Sequence, residues 1–194
     1  MNNFRITVWF ATNRNRKSNS PPEFGSRMMS GSELFRLGCV DVEVKASAVN
    51  RPWRANDWHM TIGTPTVFPN ISAGLRAFAA QYHSTQDFLC FIPGFLYSFW
   101  DSIKRAALLA ALYSGNPEEP LTAMVFSWPS QDSVLAYPKD REMASRSGPA
   151  IVSAMDHLAN CGEHRFHLVA HSLGAHVSDG QEVHLSDEVE LTAV

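Results

Sequence analysis

The chain has few cysteines, little net charge and no long apolar run, and each shortage excludes a class of function. Cys39, Cys90 and Cys161 are far apart and never form C-x-x-C, so they suggest neither a disulfide framework nor a zinc site. They fit a reducing compartment, and a cytoplasmic location is expected. With 16 Lys and Arg against 19 Asp and Glu, the formal net charge is -3. Such a chain raises no basic field to gather a phosphate backbone, so no nucleic-acid partner is expected. The short cluster of Arg14, Arg16 and Lys17 reads as a solvated loop. Nothing approaches the ~18 apolar residues of a membrane span, and Met1-Asn2-Asn3-Phe4-Arg5 opens without the apolar region of a signal peptide.

What is present is ordinary globular material: 194 residues, 45% of them hydrophobic, enough for one domain or a large part of one. Ile6 to Phe10 and Val40 to Val44 read as strands at sheet edges. Asn13 to Pro22 and Asn50 to Pro69, dense in Asn, Ser, Pro and Arg, read as loops. From Asp87 the pattern changes to short apolar runs alternating with helical stretches, the signature of buried parallel strands with crossover helices. The strands are Phe88–Ile92, Ala123–Phe126 and Phe166–Ala170. Between them Ser98 and Asp101 form a capping box for a helix that runs to Gly115, and 140–160 is a second helix that Pro149 should kink or split. The order β-α-β-α-β-α implies a parallel sheet with right-handed crossovers.

Ala170-His171-Ser172-Leu173-Gly174 differs by one residue from the nucleophile elbow G-x-S-x-G. A bare pentapeptide of this kind is more often a chance turn. Its position at the carboxyl end of a parallel strand reverses that, because α/β sheets bind ligands at this end. An elbow needs a strained residue carrying the hydroxyl and small neighbours for close packing; Ala170, Gly174 and Ala175 supply the room, and Ser172 is the candidate nucleophile. A tetrahedral intermediate places charge on the former carbonyl oxygen, which two backbone N–H groups must meet. Leu173 N–H is one candidate. Phe95 N–H, or that of Leu96, is the other, with Gly94 turning the backbone towards the pocket. Pro93-Gly94 taken alone reads equally well as a simple turn.

Phe10-Ala11-Thr12-Asn13-Arg14, Phe91-Ile92-Pro93-Gly94-Phe95, Phe126-Ser127-Trp128-Pro129-Ser130 and Ala170-His171-Ser172-Leu173-Gly174 occur together in this order, with Asp140-Arg141-Glu142 beyond the third. In this the chain resembles a bacterial family of uncharacterised alpha/beta hydrolases, formerly DUF900, in the esterase/lipase superfamily. The likeness covers most of the chain up to Val177. One departure is Pro93, where the family usually has His. The resemblance implies an α/β-hydrolase-type parallel sheet with flanking helices over residues 1–177. It also implies a serine hydrolase acting on a small-molecule ester through an acyl-enzyme on Ser172, without a metal or organic cofactor.

In this fold Asp or Glu and then His follow the serine, each after a later strand. Only 22 residues follow Ser172, and residues 178–194 read as an acidic, disordered tail. The expectation is therefore a chain that lacks the family's C-terminal strands, with an exposed sheet edge open to self-association. His176 and His184 read as surface residues, His171 as packed beneath the elbow, and the remaining histidines precede the serine. The alternative function is a truncated, inactive family member with at most ligand or partner binding.

Overall fold

The computed structural model describes residues 3–50, 59–82, 86–131 and 133–178. The N-terminal half builds β1 (Phe4–Thr12), β2 (Arg14–Asn19), β3 (Pro22–Met28), β4 (Arg36–Val44), α1 (Ala46–Asn50), β5 (Met60–Ile62), β6 (Thr66–Val67) and α2 (Ile71–Gln81). The second half alternates as the apolar runs require: β7 (Asp87–Ile92), α3 (Phe99–Ser114), β8 (Thr122–Ser127), α4 (Tyr137–Ala159), β9 (Arg165–Ala170) and α5 (Leu173–Ser178). A 3-10 turn, Val134–Ala136, leads into α4.

Among the described residues the main sheet has the order β5-β4-β1-β8-β7-β9, with β6 also on β4. β1, β8, β7 and β9 are parallel, while β4 runs antiparallel to β1. β1 is therefore an interior strand, between β4 and β8, rather than a sheet edge, and β4 is covered by β5 and β6. Alternation along each strand divides the core between the two faces. Trp9, Cys90, Ile92, Met124 and Phe126 pack with α4 residues such as Ile151 and Leu158. Val8, Phe10, Leu89, Phe91 and Val125 pack on α3 through Ile103, Ala106, Ala107 and Ala110. The small side chains let α3 lie close on the sheet.

Three other expectations change. Asn13 to Pro22 contains β2, which pairs with β3 in a separate two-stranded sheet. Asn50 to Pro69 contains β5 and β6, both paired with β4, and just after it Asn70 caps α2, its side chain accepting a hydrogen bond from Ala73 N–H at 2.8 Å. α4 runs through Pro149 as one helix of 23 residues, with Ala144, Ser147, Gly148, Ala150 and Ile151 buried around the proline. Packing on both sides of the missing hydrogen bond keeps the helix continuous. α3 carries the expected capping box, Ser98 with Asp101, and ends on Gly115 in the left-handed region. No helix among the described residues is long and apolar enough to cross a membrane.

Candidate active site

The registers Thr12↔Ser127, Phe91↔Val125 and Ile92↔Ala170 align the carboxyl ends of β1, β8, β7 and β9. The segments that follow these strands therefore meet at one end of the sheet, where an α/β fold collects its chemistry.

β9 stops at Ala170 because the chain turns sharply there. His171 N–H donates to Ile92 O at 3.0 Å, Gly174 N–H to His171 O at 2.8 Å and Ala175 N–H to Ser172 O at 3.0 Å. At the apex Ser172 is exposed, with φ of 54°. A non-glycine residue in this region costs roughly 1–2 kcal/mol, and such strain collects at functional sites. Leu173 is buried and opens α5, which packs on α4. Gly174 is required by space. A methyl group there would stand 2.8 Å from Pro93 O and closer still to Ile92 O. His171 is exposed rather than packed beneath the elbow, because its position in the turn points the ring outward beside Tyr97, at a centroid distance of 6.3 Å.

The loop after β7 lies against this elbow. A methyl group on Gly94 would sit 2.9 Å from His171 Nδ1 and 3.0 Å from Ser172 Cβ. Two residues on, Leu96 is again in the left-handed region, with φ of 64°. Phe95 packs edge-on against Tyr137, which is itself partly exposed, so an aromatic pair follows Gly94 at this loop. The Gly94 position thus lies directly against His171 and Ser172 of the elbow.

Beneath the loop lies a group that the sequence reading misplaced. Arg14 is 2% exposed, not solvated. Its Nε donates to Ser127 Oγ at 2.9 Å, one terminal nitrogen to Gly25 O at 3.0 Å and Ser130 O at 3.3 Å, and the other to Tyr97 O at 2.7 Å. Burial pushes its pKa down to about 9, against the opposing pull of Asp140 and Asp101, so the guanidinium is charged at neutral pH. Asp140, also buried, accepts from Ser130 Oγ at 2.9 Å and from Gln131 N–H at 3.0 Å. Trp128 Nε1–H donates to Pro93 O at 2.7 Å. The Trp-Pro-Ser and Asp-Arg-Glu segments, visible in the sequence without a role, therefore buttress the site. The available signal for Arg14 was its place just past the end of an apolar strand, where parallel strands deliver functional residues.

The other histidines lie elsewhere. His164 precedes β9, at the opposite end of that strand from Ser172, in a cage of Phe78, Phe88 and Phe166. His167 pairs with Asp87 at 3.0 Å, His157 Nδ1–H donates to Ser153 O at 2.7 Å, His59 precedes β5, and His176 lies on α5. His83 and His184, with the acidic stretch from Asp179 onward, fall outside the described residues. Among those described, no group of three or more His, Cys, Asp or Glu could hold a metal ion.

A family model described as alpha/beta hydrolase of unknown function (DUF900) matches residues 75–182. No curated protein and no solved structure matches the chain.

Proposed function

We propose that this chain, which belongs to the DUF900 family of alpha/beta hydrolases of unknown function, is a serine hydrolase that cleaves small-molecule esters through an acyl-enzyme on Ser172. The observation that carries the reading is the strained, exposed Ser172 between a parallel strand and a helix start, with the Gly94 loop against it. In this mechanism Ser172 Oγ attacks the ester carbonyl, and the oxyanion is met by Leu173 N–H and by Phe95 or Leu96 N–H. The alcohol leaves, and water then releases the acid. Ala170, His171 and Gly174 shape the turn. The aromatic pair of Phe95 and Tyr137 beside Gly94 suits an apolar acyl group. A reducing, cytoplasmic setting belongs to the same reading and is supported by three separate free thiols.

The test is labelling with a fluorophosphonate probe and turnover of a p-nitrophenyl ester, with Ser172→Ala as the blank. Stoichiometric labelling at Ser172 and turnover that Ser172→Ala abolishes are expected. Labelling that persists in Ser172→Ala refutes the assignment. No labelling of the folded wild-type chain favours the alternative, a family member that binds ligands or partners without turnover.

A further inference from the structure

We propose that Arg14 is a positioning residue for this hydrolysis, clamping the 93–98 loop so that its backbone donor stays aimed at the oxyanion. The inference rests on the serine-hydrolase reading of Ser172. Its structural basis is the way the loop is held at both ends.

Leu96 has φ of 64°, a conformation that an L residue leaves unless its surroundings over-determine it. At the start of the loop, the Trp128 indole holds Pro93 O. At its end Arg14 reaches the backbone by two routes. One terminal nitrogen donates directly to Tyr97 O at 2.7 Å. The second route is a chain of hydroxyls with a single direction. Arg14 Nε–H donates to Ser127 Oγ at 2.9 Å, Ser127 O–H to Ser102 Oγ at 3.3 Å, and Ser102 O–H to Ser98 O at 2.8 Å. Arg14, Ser127 and Ser102 are all buried, so water does not compete for these bonds. The remaining donors of the guanidinium tie down Gly25 O in β3 and Ser130 O after β8. A planar fork with five donors can hold these separate carbonyls in fixed relative positions, which the ammonium of a lysine cannot do.

The consequence is kinetic. A donor placed ahead of the reaction costs no reorganisation in the transition state, whereas a loop free to relax at Leu96 must be brought back in each turnover. Arg14 touches neither Ser172 nor the reacting carbonyl in this scheme and acts through Tyr97, Ser98 and the strained Leu96.

The experiment compares wild type, Arg14→Lys and Ser127→Ala, each with and without Leu96→Gly, in p-nitrophenyl ester kinetics and in hydrogen–deuterium exchange of the peptide spanning 93–102. For Arg14→Lys, kcat is expected to fall about 10- to 100-fold, in line with a misplacement on the order of 1 Å, with KM changed less than about threefold. Exchange in 93–102 should rise while that of β7 and β8 does not. Adding Leu96→Gly should recover several-fold of the lost kcat, because glycine enters the left-handed region without penalty; added to wild type it should not raise kcat. If Arg14→Lys fails to fold, Ser127→Ala, which breaks one route only, carries the same expectation at smaller amplitude. The proposal is overturned if kcat stays within twofold of wild type, if exchange rises uniformly, or if Leu96→Gly restores nothing. Should wild type itself show no turnover, the hydrolase reading falls, and the exchange data alone then decide whether Arg14 orders the loop.

Discussion

Gly174→Ala isolates the contact on which the elbow depends. Gly174 has an ordinary helical backbone, so alanine brings no conformational penalty there and would ordinarily favour the helix. The cost is one of space. The new methyl would meet Pro93 O at 2.8 Å and Ile92 O closer still, against about 3.5 Å for an unstrained contact. Both obstacles are backbone atoms, and Ile92 O already accepts from His171 N–H, so neither can swing aside. α5 must move off β7, and Leu173 N–H moves with it. Overpacking of this kind costs about 1–3 kcal/mol, and the upper end applies where backbone meets backbone. For a chain of this size about 3 kcal/mol lowers Tm by roughly 6–12 °C. Fluorophosphonate labelling should slow by about 10- to 100-fold through displacement of the donor. The control is Gly115→Ala. Gly115 has φ of 63° with nothing near a Cβ, so it carries only the left-handed penalty of about 1–2 kcal/mol and should leave labelling unchanged. Thermal melts and labelling time courses on both variants decide the matter. If Gly174→Ala melts within about 2 °C of wild type and labels at the same rate, the close packing of elbow on strand is not what positions Ser172.

Two further outcomes are expected. His164 is buried among aromatic rings, and burial holds its pKa below the ordinary 6.5, so the folded state binds fewer protons than the unfolded state as pH falls. Stability should therefore decline on acidification below about pH 6.5, and His164→Phe should flatten part of that limb in melts run from pH 8 to 5. Equal slopes in the two proteins would contradict this. Trp128→Phe leaves Pro93 O buried without its donor and should cost about 1–3 kcal/mol, read as a lower urea midpoint at constant m. An unmoved midpoint would show that the indole N–H does not hold the loop.

Much of this molecule is legible one segment at a time. The runs at 88–92 and 123–126 are buried on both faces, and such strands write themselves as continuous apolar stretches; 166–170, at the end of the described sheet, buries Phe166 and Leu168 and leaves its other residues half-buried. The capping box at Ser98 and the elbow pentapeptide are likewise local, since each is set by residues within a few positions of one another. Elsewhere local polarity does not mean exposure. Asn13 to Pro22 looks like a loop, yet Arg14 is buried because Tyr97, Ser127, Ser130 and Gly25, drawn from three other segments, supply its acceptors. β1 looked like an edge because nothing in its own residues shows that β8 will lie parallel beside it.

Strand, helix and candidate nucleophile follow from the sequence by itself because periodicity, caps and turn chemistry act over a few residues. The burial of a charge, the strain at Leu96 and the clamp that holds it depend on the assembled sheet. Strand order brings carboxyl ends from distant parts of the chain together, and only that proximity pairs a buried guanidinium with the carbonyls that compensate its lost hydration.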